Sequence, residues 1–310
     1  MTLTELRYIV AVAQERHFGK AASACFVSQS TLSIGVKKLE EELGVTLFER
    51  ARNEVTLTPR GVQIVEQAQR VLEEVDLISN MARAGGGPLV GALRIGAIHT
   101  IGPYLFPALI PALHEQVPEM PLVVQENYTS NLTTQLKQGQ LDAIIISYPF
   151  EEPGIETLAL YDEPFVVLLP ASHPWSEKKT ISAEMLRQEN ILLLGAGNCF
   201  RDQVLDFCPD CLQASQKDIG LQQTLEGSSL ETIRHMVMSG IGISVFPASA
   251  AGAHEYSHRL LAVKRFSGKQ PKRRVALAWR KSFPRKQAIE TLTSTIRSLD
   301  ISSVEMIRAA

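Results

Sequence analysis

The chain has 310 residues, 45% of them hydrophobic, enough for two or three domains with real cores. No apolar run reaches the ~18–20 residues of a membrane-spanning helix and no signal peptide opens the chain, so the expectation is a soluble, cytoplasmic protein without a membrane partner. The formal net charge is −2, and the first 87 residues carry 10 Lys/Arg against 11 Asp/Glu. Electrostatics alone therefore exclude any inference of nucleic-acid binding, which must rest on a motif and on local clustering.

Such a motif opens the chain. Leu6, Ile9, Val10 and Ala13 recur at helical spacing over 3–14. A short helix of small residues follows over 19–25, in which Ala21, Ala22 and Ala24 permit the close crossing of a helix-turn-helix. A third helix is predicted over 28–43, capped by Ser28 and ended by Gly44. Its first turn offers Gln29, Ser30, Thr31 and Ser33, short polar groups suited to base edges and phosphates, while Leu32, Val36 and Leu39 face inward. Lys37 and Lys38 stand farther along for backbone phosphates. The run 52–58 reads as a small two-stranded wing, with Arg50, Arg52 and Arg60 adding positive charge.

Pro59 is well placed to start a long helix. Ile64, Ala68, Val71, Val75, Ile78 and Ala82 alternate in steps of four and three, a heptad-like stripe fitting either a domain core or a dimer helix. In this position a dimer helix that spaces two DNA readers is the better reading. Gly85, Gly86, Gly87 and Pro88 then break it as a hinge.

Beyond Leu89 strands and helices alternate. Strands are predicted at 92–98, 122–126, 143–147, 165–169, 191–194, 243–246 and 275–279, and helices at 104–116, 132–138, 230–238 and 285–299. The pattern argues an α/β domain long enough for two sub-domains around a cleft. The chain would cross between them near 161–164 and return near Phe266.

Three of the four cysteines fall within 13 residues: Cys199, Cys208 and Cys211. Cys199 follows the apolar run 191–194, a Gly-Ala-Gly turn and Asn198, a good helix cap, so its sulfur lies in a first helical turn. There the orphan N–H groups, the helix dipole and nearby Arg201 favour a thiolate. Cys208 lies nine positions on, about 13 Å along a continuous helix, whereas a disulfide needs Cα atoms roughly 4.4–6.8 Å apart. If the two pair, the helix must unravel. Inert packing, half a zinc site and a thioredoxin-type pair at 208–211 are the competing readings, and Cys211 stays open as a resolving thiol.

Residues 3–61 resemble the N-terminal domain of LysR-type transcriptional regulators: Ala21-Ala22, the run Val27 to Ser33, Leu39-Glu40, Leu43-Gly44, Leu47-Phe48 and Leu57 to Gly61 follow its pattern almost continuously. Ser30 stands where the family more often has proline. The α/β part resembles the periplasmic-binding-protein-like effector domain of the same family. Within it, the peroxide-sensing branch fits the runs 97–105, 162–165, 173–175, 197–203, 207–208 and 228–234. The resemblance implies an α/β effector domain of two sub-domains joined by a long helix to an all-α winged helix-turn-helix domain. The boundaries are 1–58 for the reader, 59–87 for the linker helix and hinge, and 88–310 for the effector domain, with sub-domains 88–162 plus 267–310 and 163–266.

The same resemblance implies that Cys199 is the peroxide-reactive thiol and Cys208 the resolving one. It places Thr100, Thr129, Asn198, Arg201 and Arg274 around a peroxide pocket. Asn198 replaces a common family histidine, and Cys211 is an addition. Promoter DNA and hydrogen peroxide are the implied partners, with RNA polymerase and a glutaredoxin- or thioredoxin-type reductant, in a homodimer or homotetramer without cofactor or metal. His17, His99 and His235 receive no role. Two rival expectations are a LysR-type regulator with a small organic effector in the cleft, and a thiol peroxidase.

Overall fold

The computed structural model describes the chain except residues 52–53, 84–86, 210, 212–228, 253–259, 269, 302 and 308–310. The N-terminal domain is built on α1 (Leu3–Glu15), α2 (Phe18–Ala24) and α3 (Gln29–Leu43). Each helix start is closed by a side chain. Thr2 and Glu5 form a capping box on α1, His17 accepts from Gly19 and Lys20 on α2, and Ser28 accepts from the Thr31 N–H on α3. Ile9, Ala21, Leu32, Val36, Leu39 and Leu47 fill the core. Ala21 and Ala22 sit at the crossing as expected, but Ala24 is exposed. Gly35 supplies the remaining closeness, since a Cβ there would lie 2.7 Å from the Tyr8 ring. The wing is the antiparallel pair β1 (Phe48–Ala51) and β2 (Glu54–Leu57), its first strand lying earlier than the 52–58 run read from the sequence.

Helix α4 (Pro59–Arg83) then runs 25 residues. Ile64, Ala68 and Leu72 pack into the reader's core, whereas Val71 and Ile78 of the same stripe are exposed. The side chain of Ala82, and the hinge residues Gly85 and Gly86, lie outside the described residues. The reader and α4 touch the effector domain through a few polar contacts. Glu73 pairs with Arg280 at 2.9 Å, both side chains nearly buried, and Gln14 donates to the Gln138 carbonyl at 3.0 Å.

The effector domain has two lobes with separate cores. The first lobe holds β3 (Leu93–Ile98), α5 (Gly102–Gln116), β4 (Leu122–Asn127), α6 (Thr129–Lys137) and β5 (Ala143–Tyr148). Strand β6 (Ile155–Pro170) passes from the first lobe into the second, which adds β7 (Thr180–Ile181), α7 (Cys199–Phe207), α8 (Leu230–Met238), β8 (Ser244–Pro247), α9 (Ala248–Ala251) and β9 (Leu261–Phe266). The chain returns to the first lobe through β10 (Lys272–Arg280), α10 (Lys286–Ser298) and β11 (Glu305–Met306). Strands β4, β3 and β5 are parallel neighbours, and β10 lies antiparallel between β5 and β6. The far half of β6 pairs with β8 and β9 instead. The crossing at 161–164 is thus the middle of one continuous strand, a stiffer link than a loop.

The run 191–194 departs from expectation. All four residues are buried, but only a single bridge joins Ile191 to Ile243, so the segment is a core-filling connection and not a strand. Burial explains the apolar run as well as pairing would.

Candidate functional site

Helix α7 begins at Cys199 and Cys208 is its C-terminal cap, so the two sulfurs bracket one unbroken helix with no disulfide between them. Nine residues at 3.6 per turn amount to about two and a half turns, which points the two side chains to opposite faces. The packing follows that arithmetic. Phe200, Val204 and Cys208 pack in the core of the second lobe, whereas Cys199 packs against the core of the first. The helix is a crosspiece between lobes. A 199–208 bond would have to undo both the length and the facing.

Around Cys199 the first lobe contributes the Thr129 hydroxyl, which hydrogen-bonds to the sulfur and lowers its pKa, and the Phe200 N–H does the same from the helix terminus. Burial is the largest influence, however, and pushes the thiol above its ordinary value. The expected thiolate-favouring balance is therefore not met: desolvation exceeds the help of the helix N-terminus. Arg201 is not the helping cation either. Its guanidinium reaches back to the Leu194 carbonyl at 2.7 Å, closing the preceding turn.

The cation that lowers the Cys199 pKa is Arg273. Its guanidinium is fully buried, lies 5.4 Å from the Phe200 ring centroid, and donates to the Thr100 hydroxyl at 2.7 Å and the Thr100 carbonyl at 2.8 Å. Glu163 accepts from its Nε at 2.7 Å and from the Ser249 N–H at 2.9 Å. Every arm of this pair has a partner, the condition under which a buried ion pair is tolerable. It ties the tip of β3 to the middle of β6 and the start of α9, next to the thiol.

Arg274, the arginine assigned to the pocket from the sequence, is placed elsewhere. Side chains alternate along a strand, and its guanidinium is half exposed on the other face of β10, bonded to Asp162 at 2.7 Å with Lys272 beside it. Those cations hold the Asp162 carboxyl down at about 2. Thr100 and Thr129 are thus brought to the thiol's surroundings, Thr100 through Arg273. Asn198 is buried and caps α7 by backbone position only, its side chain making no cap bond. Cys208 is buried with its sulfur 3.8 Å from the Ala183 carbonyl, and Cys211 is buried one turn on, its N–H donating to the Cys208 carbonyl at 3.0 Å. No cluster able to hold a metal ion occurs among the described residues. Two contributors escaped the sequence reading: Arg273 and Glu163. Only Arg273 left a trace, as one of three adjacent cations whose strand parity was unread.

On the reader, Ser28, Gln29, Ser30 and Thr31 are exposed at the start of α3, with the Ser28 hydroxyl 2.8 Å from those of both Ser30 and Thr31. Ser33 is half buried. Lys37 is 75% exposed beside Glu41, and Lys38 is held by Glu5 of α1 at 3.0 Å. The side chain of Arg50, and all of Arg52, lie outside the described residues. Phe26, just before α3 with a left-handed φ of 58° and 95% exposed, and Ile34 of α3, 68% exposed, were not picked out as candidates.

Two family models match this chain: the bacterial regulatory helix-turn-helix of the lysR family over residues 3–62, and the LysR substrate binding domain over 86–300. A hydrogen peroxide-inducible genes activator of Pectobacterium carotovorum is 38% identical, covering 96% of both chains. The DNA-binding transcriptional dual regulator OxyR of Escherichia coli K12 is 37% identical, covering 96% of this chain and 95% of its own. Among solved structures, full-length OxyR C199D from Pseudomonas aeruginosa is 52% identical and superimposes with a TM-score of 0.80, covering 100% of this chain and 99% of its own. A hydrogen peroxide-bound cysteine mutant of Corynebacterium glutamicum OxyR is 31% identical with a TM-score of 0.61, covering 96% and 91%. A helix-turn-helix reader, a two-lobed effector domain and a thiol-bearing crosspiece between the lobes thus coincide with these matches along the whole chain, which belongs to the LysR family of transcriptional regulators, in its OxyR group.

Proposed function

We propose that this chain senses hydrogen peroxide through Cys199 and converts the oxidation into a changed arrangement on promoter DNA. The observation that carries the reading is the seat of Cys199, between lobes and beside Thr129, Thr100 and Arg273, with Cys208 at the far end of the same helix. The Cys199 thiolate attacks one peroxide oxygen and breaks the O–O bond; the sulfur becomes a sulfenic acid and hydroxide leaves, taking a proton to form water. Arg273 stabilises the attacking thiolate, and the Thr129 hydroxyl, with that of Thr100, holds the peroxide oxygens. Cys208 then attacks the sulfenic sulfur, a disulfide forms, and a second water leaves.

That bond cannot form across an intact α7, so the segment refolds and loses its hold on both lobes. The lobes repack, and with them the pairing of effector domains in a homodimer or homotetramer, whose contacts include the exposed Val71 and Ile78 of α4. Two readers, each using Ser28 to Ser33 at the groove and Lys37, Lys38, Arg50 and Arg52 on phosphates, then meet half-sites at a new spacing. The regulator works in the cytoplasm with RNA polymerase as its downstream partner, and a glutaredoxin- or thioredoxin-type protein resets it. A small-molecule effector or peroxidase turnover finds no comparable support.

The test is peptide mapping with footprinting on the full-length chain, before and after peroxide. A 199–208 linkage with a shifted footprint is expected, and loss of both in Cys199→Ala. A footprint that still shifts in Cys199→Ala overturns the reading.

A further inference from the structure

Peroxide chemistry at Cys199 and its resolution by Cys208 are separate steps, and the second requires α7 to come away from the first lobe. What holds it there, one turn beyond the thiol, is Gln203. Its Nε2 donates to the Ser147 hydroxyl at 2.6 Å, and Ser147 is a nearly buried residue of β5, 56 positions away in sequence. The Ser147 hydroxyl in turn faces the Arg274 carbonyl at 3.5 Å on the neighbouring strand. Arg201, also on α7, reaches only the preceding turn of its own lobe. Cys199 and Gln203 therefore form the stripe that faces the first lobe, and Phe200, Val204 and Cys208 the stripe that faces the second.

Oxidation of the sulfur alters the Cys199–Thr129 contact directly but leaves Gln203 untouched. The hold of the Gln203 amide on Ser147 is moreover a partial one. Gln203 Oε1 has no protein partner among the described residues, so only the Nε2 end of the amide is tied to the first lobe. A cavity of about 560 Å³ adjoins it, lined by Tyr148, Gln203, Phe207, Lys272 and Arg274 among others, and gives the amide room to turn toward solvent.

We propose that Gln203 is a positioning residue for the switch: its bond to Ser147 sets how fast the sulfenic acid at Cys199 is resolved by Cys208, without affecting how fast that acid forms. This rests on the proposed function above, so the test measures the two steps separately in the full-length chain. Sulfenic acid formation is followed with a dimedone-type trap in the Cys208→Ser background, and 199–208 disulfide formation by rapid quench and peptide mapping at saturating peroxide.

Gln203→Ala is expected to leave the first rate within twofold of the parent and to speed the second roughly three- to tenfold, the weight of one net hydrogen bond. Ser147→Ala approaches the same latch from the other lobe, and the double variant is expected to resolve no faster than Gln203→Ala alone. A disulfide rate unchanged or slowed in Gln203→Ala, parallel changes in both steps, or additive effects in the double variant would overturn the assignment. Absence of any 199–208 bond in the parent chain would instead overturn the proposed function, and the latch with it.

Discussion

Arg273 and Arg274 are neighbours on one strand and live in different solvents. The side chain of Arg273 is 0% exposed and bonded on every side to Thr100 and Glu163, whereas that of Arg274 is 46% exposed and shares Asp162 with Lys272. Strand alternation alone produces the contrast. It teaches that a cation beside a thiol acts on it through a dry, fixed contact, and that equal charge one residue away, bathed in water, does not reach it.

The largest expected effect breaks the buried member. Arg273→Met leaves Glu163 ionised in the core with one partner, the Ser249 N–H, and should cost about 3–5 kcal/mol in denaturant titrations. Arg274→Met should cost far less, because the site is half exposed and Lys272 stays on Asp162 at 2.7 Å. Equal destabilisation by the two would dissolve the comparison.

Reactivity sharpens it. Burial pushes the Cys199 thiol above its ordinary value, so the second-order rate with peroxide should climb about tenfold per pH unit through neutral and mildly alkaline pH as thiolate accumulates. Removing the positive charge at 273 disfavours the thiolate further. The Arg273→Met profile should therefore move to higher pH, slower at every pH below its plateau, while the Arg274→Met profile overlays the parent.

Thr129→Val gives a smaller effect of the same sign, because one hydroxyl donor to the sulfur is lost while Arg273 stays. A several-fold slower oxidation at pH 7 with an unchanged disulfide rate after oxidation is expected in stopped-flow measurements.

The exposed member shows itself through the shape of the acid limb. The Asp162 carboxyl, held down chiefly by Arg274 and then by Lys272, contributes stability that is complete above its ordinary 3.8 and is lost as pH falls through about 2. Asp162→Asn should flatten the acid limb of a melting-temperature profile by lowering the neutral plateau toward the acid value.

The parts of the molecule legible in the sequence are those whose cause is local. The Ser28 cap, the 230–238 helix and the spacing of Cys199 and Cys208 all depend on residues within a few turns, and each stands where it was expected. Register is not local. Which of Lys272, Arg273 and Arg274 points inward depends on pairing with Asp162, Glu163 and Pro164, more than a hundred residues earlier, in a ladder whose register shifts at Val275/Ala276. The thiol's pKa turned on burial, which a cap and a neighbouring arginine cannot report. Ile191 to Leu194 looked like a strand because core-filling segments and buried strands share a composition. Gln203 carried no signal, since its partner is fixed only by the meeting of the lobes.

The central claim is that the sulfurs meet only by dismantling α7. Backbone hydrogen exchange across 199–207, read by mass spectrometry on the full-length chain before and after peroxide, tests it most directly. The account predicts that protection of these amides falls toward unfolded values as the 199–208 disulfide appears. A disulfide formed with α7 still fully protected would contradict it.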